Sequence, residues 1–241
     1  MSRFRRVVLE LGHGSADPGT MRDAAAMARW LNADLHALFV EDESLLSWTA
    51  LPLAREIDTI SFRWRPLDQG RLQADLRAAA DRARRHLTKT AAALGIAPTF
   101  EVHRGDIADR LETLCGATDI VAIAAQTGPG HGFGGGRVRE AAHRRAASVL
   151  LLPLGPMRPH GPIVALSGGD TDLALAVARS LDETESGRPI VLPPGAAASK
   201  ETLAAALDSV GERLIVTADA ANAAWIATAR GVPVLVVEKP A

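Results

Sequence analysis

This 241-residue chain has a single cysteine, no excess of either charge and no long apolar run, and each shortage excludes something. With Cys115 alone, no intramolecular disulfide can form, and neither a zinc cluster nor a CxxC redox pair can be built. A reducing cytoplasm is the compartment that such cysteine usage fits. Lys and Arg number 27 against 28 Asp and Glu, so no whole-molecule field draws in nucleic acid or an anionic membrane. Any anion site must be local. No segment nears the ~20 apolar residues of a membrane span. The basic start (Arg3, Arg5, Arg6) leads only into residues 7–11, a run that contains Glu10 and is too short and polar for a signal sequence.

What is present is core-forming material. Hydrophobic residues make up 47% and charged residues 23%, ordinary values for a globular chain with a sizeable interior. Short runs rich in Val, Ile and Leu at 7–11, 35–40, 99–102, 120–125 and 149–152 are predicted strands, buried on both faces. Between them, Leu72, Leu76, Ala79, Ala83, Leu87, Ala91 and Leu94 recur by threes and fours, the spacing of an amphipathic helix. Strands alternating with helices imply right-handed βαβ units, hence an α/β fold with a doubly wound parallel sheet. "NAD" at 32–34 and "LGIAP" at 94–98 supply helix stops, and Asp106 is placed to cap a following helix. Residues 44–70 fit neither period and carry Trp48, Phe62 and Trp64, which reads as a helical excursion or lid.

The stretch "PLGPMRPHGP" at 153–162, with four prolines and two glycines, interrupts both helix and central strand. After it the pattern restarts: "PIVALSGGDTDLALAVARSL" repeats the strand, polar turn and Ala-rich helix of the opening. The economical expectation is an internal repeat, with one domain over 1–155 carrying an insertion at about 44–70 and a shortened copy over 162–241.

Both halves resemble the universal stress protein family. The resemblance rests on the strand and Ala-rich helix opening each half, on "EVHRGDIADRLETLCGATDIVAIAAQ" leading into a glycine segment, and on the endings "ASVLLLP" and "VPVLVV". It implies a flavodoxin-like fold, binding of ATP or another adenine nucleotide, and pairing of two chains through the last strand. The family's ATP-binding pattern has an acidic residue after the first strand and G-x2-G-x9-G-[S/T] after the fourth. This chain departs from it: Leu11 and Gly12 stand where the acid would, Ala124 and Thr127 on the first glycines, Gly135 on the last and Gly136 on the hydroxyl position. The segment "TGPGHGFGGGRVRE" at 127–140 nevertheless has six glycines between a predicted strand and helix, and such a turn lets backbone N–H groups approach phosphate.

The expected nucleotide contacts are therefore Gly12, His13, Val40, Thr127, Gly128, Gly130, Gly132, Gly134, Gly135, Gly136 and Arg137, with the phosphates on the glycine segment. In a doubly wound sheet the crevice opens at the switch point, here between the first strand and a neighbour expected to run the opposite way. The plainer alternative is a connecting loop with Arg137, Arg139, Arg144 and Arg145 on a solvated face. The second half lacks the glycine segment, so a nucleotide would bind once per chain, and the shortened copy would serve as an internal dimer partner or simply reflect drift.

"GHGSADP" at 12–18 also resembles the start of the small sirohydrochlorin-class chelatases, which would make His13 a metal-handling base with His160 as the available second histidine. Other chemistry is thin: Ser15 lacks nucleophile-elbow spacing, His131 and His143 lack ligand spacing, residues 41–43 form an acidic run at a strand end, and Cys115 reads as core filler on a helix face. Three readings stay open: a regulatory binding protein without turnover that senses an adenine nucleotide, a nucleotide-independent scaffold for a protein partner, and a chelatase-like enzyme. The terminal "VPVLVV" reads as a sheet edge open to a homodimer partner.

Overall fold

The computed structural model describes residues 3–12, 17–41, 43–57, 62–125, 132–166, 171–182, 188–192, 195–196 and 199–237. The apolar runs are strands in it. The first, β1 (Arg6–Leu11), leads through α1 (Pro18–Trp30) to β2 (Asp34–Glu41). After α2 (Glu43–Trp48) and a two-stranded antiparallel ribbon, β3 (Arg55–Ile57) with β4 (Trp64–Pro66), comes the long α3 (Gln69–Ala93). The first half closes with β5 (Thr99–Arg104), α4 (Ile107–Leu114), β6 (Asp119–Ala124), α5 (Gly132–Arg144) and β7 (Ser148–Leu152). The second half runs β8 (Ile163–Leu166), α6 (Thr171–Asp182), β9 (Ile190–Leu192), α7 (Lys200–Leu207), β10 (Leu214–Thr217), α8 (Ala223–Arg230) and β11 (Val234–Val236).

Helix ends follow local chemistry. Asp17, Asp68 and Asp106 accept backbone N–H bonds of 3.0, 2.7 and 2.7 Å at the starts of α1, α3 and α4, satisfying donors that no helical carbonyl reaches. Asn32 (φ 49) and Gly95 (φ 71) end α1 and α3 in the left-handed conformation that Asn and Gly tolerate best.

Nine strands form one sheet in the order β5-β2-β1-β6-β7-β11-β10-β8-β9. Every neighbouring pair is parallel except β7 with β11, where Val234 stands against Leu151 and Val236 against Val149. In this order β8, β9, β10 and β11 take the places held by β1, β2, β6 and β7 on the other side of the antiparallel seam. Two expectations need correction. The terminal strand β11 is not an edge: β7 and β10 occupy both its sides, because the last strands of the two halves pair within one chain. The strand across the switch point from β1 is β6, and it runs parallel to β1; what reverses there is the direction in which successive strands are added.

Strands buried on both faces divide the core in two. Val7, Leu9 and Leu11 face α1, α3 and α6, while Val8, Leu38, Val121 and Ile123 face α4, α5, α7 and α8. The 44–70 stretch is less helical than expected, since β3 and β4 follow α2, and it leaves apolar groups in solvent: Leu53 is 88% and Phe62 80% exposed.

Cys115 lies at the C-cap of α4 rather than along its apolar face, with its N–H on the Leu111 carbonyl at 2.8 Å. It is buried, and burial pushes its thiol up to about 12. The native protein should therefore not react with a disulfide reagent at pH 8 on the time scale of minutes, and the thiol should appear only with unfolding. Immediate stoichiometric labelling would contradict this placement.

Candidate functional site

Because β1 connects outward to β2 and β5, and the chain then returns to β6, the sheet has its switch point between β1 and β6 in the first half. The crevice of such a sheet opens at the carboxyl ends of these strands. Leu11 stands against Phe39, so Gly12 leaves the sheet beside Val40, a buried residue at the end of β2. Val40 belongs to the same apolar cluster as Ala108 of α4, Ile123 of β6 and Val138 of α5.

Glu10 is the residue that sequence reasoning missed. Strand alternation puts it on the face of Val8, opposite Leu38, with an apolar cluster around it. It has no hydrogen-bond or ion-pair partner among the described residues. Burial without a partner raises its carboxyl to about 7. The signal was available: in a strand buried on both faces, a charged side chain in step with Val8 has no polar side to point to.

Because the folded value lies above the ordinary 4.5, ionised Glu10 weakens the fold increasingly as pH rises from 4.5 through about 7, and costs nothing below that window. Glu10→Gln should stabilise the protein by about 2 kcal/mol at pH 8, less than the full ~1.4 kcal/mol per pH unit because the residue is only partly buried. Urea denaturation at pH 4 should find the two proteins equal; an equal difference at both pH values would assign the effect to shape rather than charge.

The neighbouring charges are committed to each other. Glu41, at the end of β2, is 5% exposed and takes the Arg104 guanidinium at 2.9 Å. Asp106, which caps α4, also pairs with Arg137 of α5. Arg144 pairs with Glu112 on α4 and, at 2.8 Å, with Glu140 on its own helix, while Arg145 donates to the Cys115 carbonyl at 3.2 Å. All three arginines are exposed, and from that solvated face they link α5 and the residue after it to α4 or its C-cap.

The structure places Gly132, Gly134, Gly135 and Gly136 at the start of α5 itself, the helix that follows β6, rather than in a loop before the helix. His13, Thr127, Gly128 and Gly130 lie outside the described residues. The first-turn N–H groups of α5 have no helical acceptor, and the glycines leave the backbone bare; a side chain at Gly136 would meet nothing within 4 Å. Those donors, the helix dipole and the apolar wall at Val40 suit a ligand with an anionic end and a flat apolar end.

His160, the second histidine a chelatase would need, is exposed in the segment between β7 and β8. Among the described residues no group of three His, Cys, Asp or Glu side chains is placed to hold a metal ion. No described helix is long and apolar enough to cross a membrane.

No protein-family model and no curated protein matches the sequence. Solved structures do match. A universal stress protein from Archaeoglobus fulgidus is 11% identical, covers 99% of each chain and superimposes with a TM-score of 0.62. A universal stress protein from Lactobacillus plantarum is 19% identical over 63% of this chain and 99% of its own, with a TM-score of 0.43. A third, a universal stress protein in complex with cAMP, is 17% identical over 62% of this chain and 96% of its own, at 0.37. The first of these shares the fold along essentially the whole chain.

Proposed function

We propose that this chain is a cytoplasmic regulatory protein of the universal stress type that binds an adenine nucleotide, ATP or AMP, at the switch-point crevice and does not turn it over. The observation that carries the reading is the start of α5: four glycines in its first two turns, in the helix that follows β6, the strand paired with β1. Backbone N–H groups from that turn, with Thr127, Gly128 and Gly130 before it, take the phosphates. Val40, Gly12 and His13 border the base and ribose. Arg137 neutralises Asp106, which would otherwise present like charge to the anion.

The strand order supports reading 1–155 and 162–241 as two unequal copies. The second copy, whose last strand meets β7, occupies the place where a separate subunit would pair through its own last strand. It lacks a glycine segment between β10 and α8, so one nucleotide binds per chain.

The test is thermal-shift titration of the intact protein with Mg-ATP, ADP, AMP and cAMP. At ~100 times its dissociation constant a ligand stabilises by about 2.7 kcal/mol. Gly135→Val, which puts a β-branched side chain in the first turn of α5, should weaken the responding nucleotide at least tenfold while leaving the unliganded melting temperature within a few degrees. No response to any of the four would remove this reading.

A second reading, a scaffold without nucleotide, draws on the exposed Trp48, Leu51, Leu53, Phe62 and Trp64 around the β3–β4 ribbon. Contiguous exposed apolar groups mark partner surfaces more often than isolated ones do. It predicts a partner lost with a Trp48→Ser, Trp64→Ser double variant and unaffected by nucleotide.

A further inference from the structure

On the opposite face of the sheet from α4 and α5, a cavity of about 570 Å³ lies between α1, α3, the segment joining the two halves, and the residues that precede β10 and β11. Its size is that of a small-molecule site. Both halves contribute. Its floor and walls are largely apolar, with Met27 from α1, Leu94 from the end of α3, Met157 and Pro159 from the joining segment and Pro233 before β11.

Its charge is one-sided. Arg22, Lys89, Arg158 and Arg213, with the His86 imidazole beside them, line it against a single acid, Asp23. Three of the cations are occupied: Arg22 holds Asp23 Oδ1 at 3.1 Å, Arg158 reaches the Glu212 carbonyl at 3.3 Å, and Arg213 stacks 4.1 Å from the Trp30 ring centre. His86 and Lys89 have no hydrogen-bond or ion-pair partner among the described residues, and they stand one turn apart on the same side of α3. Asp23 is 3% exposed, and its Oδ2 is buried with no hydrogen-bond partner. A buried polar atom left in that state is costly unless something reaches it.

We propose that this groove binds an amphipathic organic anion. Its apolar body lies along Met27, Leu94, Met157 and Pro159, and its acid group meets Lys89 and His86. The site is separate from the nucleotide crevice, so the two assignments stand or fall independently. Because α1 and α3 come from the first half while Arg213 and Pro233 come from the second, an occupant bridges the two halves and stabilises their junction.

The probe is dodecanoate below its micellar concentration, titrated calorimetrically into the intact chain, with butanoate (charge without the body) and dodecylamine (body with the opposite charge) as comparisons. The expected result is one saturable dodecanoate site per chain, at least tenfold weaker binding of butanoate and dodecylamine, and at least tenfold loss in both Lys89→Glu and Ala93→Trp. Both positions are exposed on α3, so neither variant threatens the fold. Trp64→Ser, on the β3–β4 ribbon, should change nothing. Absence of saturable binding, equal binding of dodecylamine, or an affinity that falls with Trp64→Ser but not with the two α3 variants would each overturn the proposal.

Discussion

Replacing Gly161 with alanine should destabilise this protein by about 3 kcal/mol or more, the largest effect expected from removing no side chain at all. Gly161 has φ 138, a backbone conformation open to glycine and closed to residues with a Cβ. The added Cβ would also stand 2.2 Å from the Gly211 carbonyl oxygen and 3.1 Å from the Arg213 nitrogen. Neither obstacle is a side-chain tip that can swing away. Pro162 follows and accepts from Arg213 N at 3.0 Å, so the chain entering β8 is held against the chain entering β10 and cannot retreat without loss of that bond. For a chain of this size, about 3 kcal/mol corresponds to a fall in melting temperature of roughly 6–12 °C. Gly155→Ala is the control: it lies in the same joining segment, its Cβ meets nothing within 4 Å, and it should be silent. Equal effects at the two glycines would mean that the joining segment does not seat against 211–213.

The second large effect lies within that contact, at the residue between Gly211 and Arg213. Glu212 is fully buried, with its carboxylate 2.8 Å from Arg230 Nε and 3.5 Å from Arg158. Arg230 is itself largely buried and also donates to the Leu207 carbonyl at 2.8 Å. Glu212 thereby ties α8, the end of α7 and the joining segment to one point. Its removal leaves a largely buried guanidinium with only the exposed Asp208 carboxylate, 3.3 Å from Nη1, as counter-charge, and Glu212→Ala should cost about 3 kcal/mol by urea denaturation. Because the pair is desolvated, 1 M NaCl should change that loss little, whereas an exposed pair would lose its contribution in salt. Glu212→Leu combined with Arg230→Met, which removes both charges and keeps volume, should recover most of the stability. If the double variant is as unstable as Glu212→Ala, the loss comes from shape and not from the orphaned charge. Gly161→Ala and Glu212→Ala should also be less than additive, since the Cβ added by the first would approach the Glu212 carbonyl carbon at 3.3 Å.

Much of the architecture was legible because the physics behind it is local. A strand covered on both faces must be apolar throughout, and residues 7–11, 35–40, 120–125 and 149–152 are nearly so. A helix covered on one side must repeat at 3.6 residues, and Leu76, Ala83, Leu87 and Ala91 are the buried seam of α3, with Ala80 taking the place expected of Ala79. Caps and stops depend on one side chain or one φ, which is why Asp106, Asn32 and Gly95 act where their types suggest. The glycines at 132–136 are plain in the sequence, but whether they precede a helix or begin one turns on where the first helical hydrogen bond forms, and composition does not decide that.

The sequence by itself determined the alternation of strands and helices, their rough limits and the break at 153–162, since each follows from neighbours a few residues away. Only the tertiary structure decided which strand lies beside which. It made β11 an interior strand against β7, set Glu10 among apolar groups, engaged Arg137 with Asp106 and brought Asp23, Lys89 and Arg213 around one cavity. Those pairings join residues tens to hundreds of positions apart, and their energies depend on burial and on partners that exist only once the sheet has assembled.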